Sequence, residues 1–233
     1  MNEPIVQSMT SQLIVRFRER ILAGTYAPGS ALRQDTLASE FGTSKIPVRE
    51  ALVQLQSEGL VDIFPNRGFQ VRPLAASELD EIFSLRLQIE PLAVARGAKL
   101  ATPADQAAAH KALGQLNAAL AAEEFSSAGQ LNRKFHLLLI VPRLQPVAAD
   151  MLGRLHTLAQ RYVQAHLGPK GRVKRAMREH AALLKVWSLR DTRQARGLIH
   201  SHIASTRDDL TQVAAAHGLT QVAAAHGANG LRR

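Results

Sequence analysis

A change of pattern near residue 76 constrains this chain more than any other feature. Before it, short apolar stripes of helical spacing alternate with turn signals and two β-prone stretches. After it, strand signals nearly vanish, and Ala- and Leu-rich helical periodicity continues through residue 211. Breaks in that periodicity fall at Pro91, at 102–103, at 126–127, at 142–146 and at 168–171. Two compact units follow, a small mixed one over 1–75 and an all-helical one over 76–211. The 233 residues and 46% apolar content suffice for two cores. Pro91 either kinks one long helix or separates two. A tandem copy, LTQVAAAHG at 210–218 and again at 219–227, makes 212–233 a duplicated, frayed tail.

Within the first unit, residues 12–23 place Leu13, Ile14, Phe17 and Ile21 on one stripe, and Gly24 closes that helix. A second helix spans 34–41, with Leu37, Ala38 and Phe41 inward and Gly42 as its stop. Two residues later a third begins at a Ser44 N-cap, admits Pro47 in its first turn and buries Val48, Ala51, Leu52 and Leu55. Residues 60–64 and 69–72 then pair as a hairpin around Pro65-Asn66-Arg67-Gly68. The expected fold is mainly α: a winged helix-turn-helix of three helices plus a β-hairpin, followed by an all-α antiparallel helical bundle.

A helix-turn-helix props its second helix into the DNA major groove, where residues near that helix's N-terminus reach bases and phosphates. Ser44, Lys45 and Arg49 hold that position here, and Arg67 sits at the hairpin tip like a wing residue entering a minor groove. Bulk charge does not carry this reading. The chain is +10 overall, but through Pro73 eight basic side chains stand against seven acidic ones, and the excess lies mostly between 161 and 196. The sequence pattern carries it instead. The stretch ILAGTYAPGSALRQDTLASEFGTSKIPVREALVQLQSEGLV at 21–61, with Arg67-Gly68 and Val71, resembles the winged helix of GntR-family transcription regulators.

That resemblance implies that Ser44, Lys45, Ile46, Arg49, Arg67 and Gly68 approach DNA. Ser44-Lys45-Ile46-Pro47 replaces the family's frequent Ser-Arg-Thr-Pro. Lysine lacks the bidentate fork of arginine and Ile46 lacks a hydroxyl, so base contacts and operator sequence do not carry over from relatives. One helix-turn-helix reads few base pairs, so a homodimer on a pseudo-palindromic double-stranded DNA operator is expected.

In the second unit Asn132 and His136 lie one above the other on a helix and can ligate one ion side by side. His180 falls among Ala176, Met177, Leu183, Leu184 and Trp187, in the middle of an apolar face. On the last helix, phase turns His202 inward with Ala195 and Leu198 and turns His200 outward with Arg193, Arg196 and Arg207. One inward histidine is usually a hydrogen-bonded core residue. Three of them plus an amide oxygen, from three separated helices, suit a divalent metal with open positions that an anionic effector completes. With no cysteine in the chain, the site has only nitrogen and oxygen donors; zinc fits first, with nickel, manganese or iron as alternatives.

Leu85-Arg86 with Glu90, Phe135-His136, Glu179-His180 and His202-Ile203 resemble, in order, the FadR-like C-terminal domain called FCD, a bundle of six or seven helices. In metal-binding members an aspartate or asparagine precedes the first of three histidines by four, which implies Asn132, His136, His180 and His202 as the ligand set. Arg86 either pairs with Glu90 or clamps the carboxylate of a small organic-acid effector. The basic run Lys170, Arg172, Lys174, Arg175 and Arg178 reads as a solvated face, with attraction of an anionic ligand or of DNA phosphates as the alternative.

The resulting expectation is an effector-responsive regulator, more often a repressor, and not an enzyme. A metal-dependent hydrolase is the alternative, weakened by the lack of a carboxylate base at suitable spacing, since Glu179 is turned away from His180. A purely structural metal is another. No membrane span or signal peptide is legible, so a cytoplasmic location is expected.

Overall fold

The computed structural model describes residues 8–65, 67–140, 144–165 and 171–216. The first part runs α1 (Met9–Leu22), β1 (Ala31–Leu32), α2 (Gln34–Glu40), α3 (Lys45–Ser57), β2 (Val61–Phe64) and β3 (Gly68–Val71). Six helices follow: α4 (Ala76–Leu100), α5 (Pro103–Ala121), α6 (Phe125–Ile140), α7 (Pro146–Ala165), α8 (Arg172–Ser188) and α9 (Thr192–Ala216). The order is that of a winged helix-turn-helix followed by a helical bundle.

Local chemistry explains most boundaries. The Ser8 hydroxyl accepts from the Ser11 N–H at 3.1 Å, so α1 starts three residues before its apolar stripe requires. Gly42, at φ +60°, makes the turn between α2 and α3. The wing has three strands where a hairpin was expected, because β1 adds to the far edge of β3 with Ala31 opposite Gln70 and Leu32 opposite Phe69. A two-residue strand shows no periodicity of its own. In the bundle, Pro91 lies inside a continuous α4. The expected break at 126–127 falls instead at 122–124, where Glu123 turns with φ +58°, and Ser126 and Ser127 enter the first turn of α6. A capping box between Thr102 and Asp105 starts α5.

Two apolar clusters fill the molecule. Leu13, Phe17, Val48, Leu52, Leu55 and Phe69 belong to the first; Phe83, Leu116, Phe135, Tyr162, Trp187 and Ile199 belong to the second. Helix α9 continues into the first copy of the tandem repeat and buries Leu210 and Ala214. The second copy and Lys170 of the basic run lie outside the described residues.

Helix α7 joins the two parts. The Arg161 guanidinium, almost fully buried, donates to the carbonyls of Arg72 and Pro73, the latter at 3.1 Å. The Tyr162 hydroxyl accepts from the Ala75 N–H at 3.2 Å and contacts the Glu78 carboxylate. Gly59, which ends α3 at φ +79°, sits against α7 so closely that a Cβ there would meet Leu158 Cδ2 at 3.4 Å.

Candidate DNA-reading surface and metal centre

At the N-terminal end of α3, Ser44, Lys45, Ile46 and Arg49 are all exposed, while Val48, Ala51, Leu52 and Leu55 on the opposite face are fully buried. Ile46, 71% exposed, is held out of the core by the same helical phase. Ser44 is the N-cap residue, but its side chain makes no capping hydrogen bond. Lys45 pairs with Asp35 across the turn from α2. On the wing, Arg67 is exposed and Gly68 takes φ +85°, a backbone conformation that favours glycine. Helix α3 thus gathers Ser44, Lys45, Ile46 and Arg49 at one solvent-facing end, and the wing presents Arg67 and Gly68.

His136 on α6, His180 on α8 and His202 on α9 converge in the bundle. His180 Nε2 lies 3.2 Å from His136 Nε2 and 3.3 Å from His202 Nε2. His136 and His180 are buried and His202 is nearly so. Asn132 and Arg86 line the same cavity, of about 70 Å³, as the three histidines. Arg86 is bidentate to Glu90, with Nε at 2.8 Å and Nη2 at 3.3 Å, so the salt-bridge reading and the cavity position hold together.

The outward sides of the rings are also organised. Glu179 lies 2.7 Å from His202 Nδ1, which favours a proton on that nitrogen and orients the ring with Nε2 inward. Glu90 Oε1 is 3.5 Å from His136 Nδ1 and 3.2 Å from His156 Nε2. Burial opposes ionisation of Glu90, but Arg86, then His156 and His136, outweigh it and hold its pKa well below the usual carboxylate range. Burial drives His136 down to about 3, and burial with His202 and His136 nearby drives His180 well below its ordinary value.

These observations test whether the residues fit a metal. With His136 and His180 held neutral by burial, His180 has at most one Nε2 proton to share with the two Nε2 atoms that face it. Burial disfavours relief by further protonation of His136 or His180. A cation resolves the clash, and the separations of 3.2 and 3.3 Å match the roughly 3.3 Å edge of a tetrahedron of Zn–N bonds near 2.05 Å. The donor set fits. Glu179 engages His202 from the side away from Nε2, so it is not placed as a base over that centre.

Sequence reading missed His156, the contact of Glu179 with His202 and the contacts of Glu90 with His136 and His156. His156 shares a face of α7 with buried Leu152 and Ala159, a phase that could have marked it as inward. Glu179 was legible only as a residue off the face of His180; its partner lies on another helix.

Residues 81–205 match the FCD domain, and residues 9–71 match bacterial regulatory proteins, gntR family. The chain is 32% identical over 130 residues to the uncharacterized HTH-type transcriptional regulator YdhC of Bacillus subtilis (strain 168), a match covering 55% of this chain and 58% of YdhC. It is 28% identical over 206 residues to the HTH-type transcriptional repressor GlaR of Escherichia coli (strain K12), covering 84% of this chain and 93% of GlaR. The HTH-type transcriptional regulator McbR of Escherichia coli (strain K12) is 30% identical over 148 residues, covering 64% of this chain and 67% of McbR. The solved E. coli McbR/YncC structure has a TM-score of 0.80 at 24% identity over 89% of this chain and 99% of that one, a likeness of fold.

Proposed function

This chain belongs to the GntR family of bacterial DNA-binding transcription regulators, with an FCD domain, and from that premise we propose that it is a metal-dependent repressor released from its operator by a small carboxylic acid. A homodimer places two copies of α3 on a pseudo-palindromic double-stranded DNA site, where Ser44, Lys45, Ile46 and Arg49 meet the major groove and Arg67 and Gly68 the adjoining minor groove. The Lys45–Asp35 pair exchanges for a phosphate on binding. The name of GlaR, a repressor, supports the sign of regulation.

His136, His180, His202 and Asn132 would hold the metal, zinc first. When bound, it supplies a divalent charge that an anionic ligand can coordinate. The observation that carries this reading is the convergence of three Nε2 atoms in a buried cavity. No carboxylate joins the three histidines among the described residues, so the ion keeps its charge for the effector.

The response reaches DNA through α6 and α7. Arg133, one turn before His136 on α6, lies within the electrostatic reach of Arg18 and Glu58, the pair that ties α1 to the end of α3 with bonds of 2.8 and 2.7 Å. Helix α7 carries His156 toward Glu90 on one side and Arg161 toward the carbonyls of Arg72 and Pro73 on the other. A ligand that prefers one placement of α6 and α7 thereby prefers one placement of α3.

Fluorescence anisotropy with DNA from the region upstream of the chain's own gene tests the proposal. Binding should fall steeply with salt, drop about tenfold or more in Arg49→Ala, and weaken when zinc-loaded protein meets its acid. Equal binding of wild type and Arg49→Ala, or indifference to every metal and acid combination, would overturn it.

A further inference from the structure

Helix α4 turns Ile82, Phe83, Arg86, Glu90 and Val94 into the bundle, but its outer face is not uniformly polar. Glu81, Leu85, Gln88, Leu92, Arg96 and Lys99, three or four residues apart, are all exposed and form one stripe along the helix. Leu85 and Leu92 are 39% and 56% exposed. Two leucines seven residues apart on one face make the kind of seam that one helix offers to another. Helix α9 flanks the stripe, and Gln88, Pro91 and Leu92 share a groove with Arg193, Arg196 and Gly197. A Cβ on Gly197 would meet nothing within 4 Å, so the groove is open on that side.

The two ends of the stripe carry opposite charge. At the start of α4, Asp80 and Glu81 are exposed and have no ion-pair partner among the described residues. The nearby bases Arg72 and Arg161 pair with Glu78 instead. At the other end stand Arg96 and Lys99 of α4 with Arg193 and Arg196 of α9, because Arg190, just before α9, donates to the carbonyl of Ala101, just after α4, at 3.0 Å. The acids around α9 are engaged elsewhere. Asp191 accepts from the backbone and side-chain nitrogens of Gln194 at 2.9 and 2.6 Å, Asp208 faces Arg207, and Asp209 faces Arg172 and Arg175.

We infer that this face joins two copies of the chain, their α4 helices antiparallel across a two-fold axis near Gln88. In that register Leu85 meets the partner's Leu92 and Leu92 meets the partner's Leu85, an apolar seam about 10 Å long. Glu81 comes level with the partner's Arg96 and the partner's Arg193, and the symmetry repeats that contact at the other end. A parallel pairing would set acid against acid and base against base. The occupant is a second copy because one stripe supplies both halves of the contact. This rests on the homodimer reading above and names the surface that makes it.

Sedimentation velocity of the untagged full chain over a range of micromolar concentrations tests this. Leu92→Glu should stay folded by circular dichroism and be monomeric where the wild type is a dimer. Glu81→Arg and Arg193→Glu should each raise the dimer dissociation constant about tenfold, and the double variant Glu81→Arg/Arg193→Glu should recover most of the loss. Arg193 lies in the first turn of α9, where a carboxylate suits the helix dipole, so its reversal does not act by weakening the helix. A Leu92→Glu chain that dimerises like the wild type, or a double variant no tighter than the two losses combined, would overturn the inference and leave the homodimer reading standing. A wild type that stays monomeric, alone and on DNA, would overturn both.

Discussion

His180 holds the centre of the account at the scale of single residues. Its Nε2 lies within 3.3 Å of two other imidazole nitrogens in surroundings where protonation is disfavoured, and that arrangement makes acid a direct probe. In the unfolded chain the histidines titrate near 6.5. In the folded chain burial brings His136 to about 3 and His180 well below 6.5, so between those values the unfolded state binds protons that the folded state refuses. The stability these groups leave intact is fully present above pH 6.5 and is lost as pH falls toward 3. His136 alone accounts for about 2 kcal/mol between pH 7.5 and 5. Urea denaturation of metal-stripped protein should therefore show a clearly lower midpoint at pH 5 than at pH 7.5, and equal midpoints would contradict these environments. Helical phase made His180 and His202 legible as inward-facing, and the four-residue spacing from Asn132 drew attention to His136. Glu179 and His156 escaped because their partners, His202 and Glu90, sit on other helices, a relation no single-helix pattern contains.

The elements behave similarly. Helices with a strong apolar stripe were legible to within a few residues, whereas β1 exists only because β3 offers an edge, and α4 runs through Pro91. Proline costs that helix one backbone hydrogen bond, and the packed neighbours of buried Pro91 keep the helix together. Helix crossing in the bundle depends on a small residue as well. A Cβ on Gly97 of α4 would lie 1.9 Å from the carbonyl oxygen of Leu139 on α6, the same oxygen that accepts from Trp187 Nε1 at 3.2 Å. Gly97→Ala must force α4 and α6 apart and should lower stability by about 1–3 kcal/mol. Gly114 of α5 has open space around its missing Cβ, so Gly114→Ala should raise stability by about 0.5–1 kcal/mol. Thermal melts of the two variants should move in opposite directions; a shared direction would mean that the close approach of α4 and α6 is not as described.

Across the whole molecule, the metal centre, α7 and the reading head form one physical path. The centre lies in the larger apolar core, Arg161 and Tyr162 anchor α7 to the segment between wing and bundle, and Gly59 brings the end of α3 against Leu158. The change from a mixed to an all-helical pattern near residue 76 was legible in the sequence. The path between them was not, since it depends on α7 presenting different residues to its two sides, and both sides are rich in arginine, histidine and glutamine. The whole path depends on the ion at its origin. The direct test is metal content by inductively coupled plasma mass spectrometry of untagged protein purified without chelator, for wild type and for His136→Ala/His180→Ala. About one divalent ion per wild-type chain and none in the double variant is the predicted result. A wild-type chain that stays folded, carries no metal and refuses reloading would contradict the account.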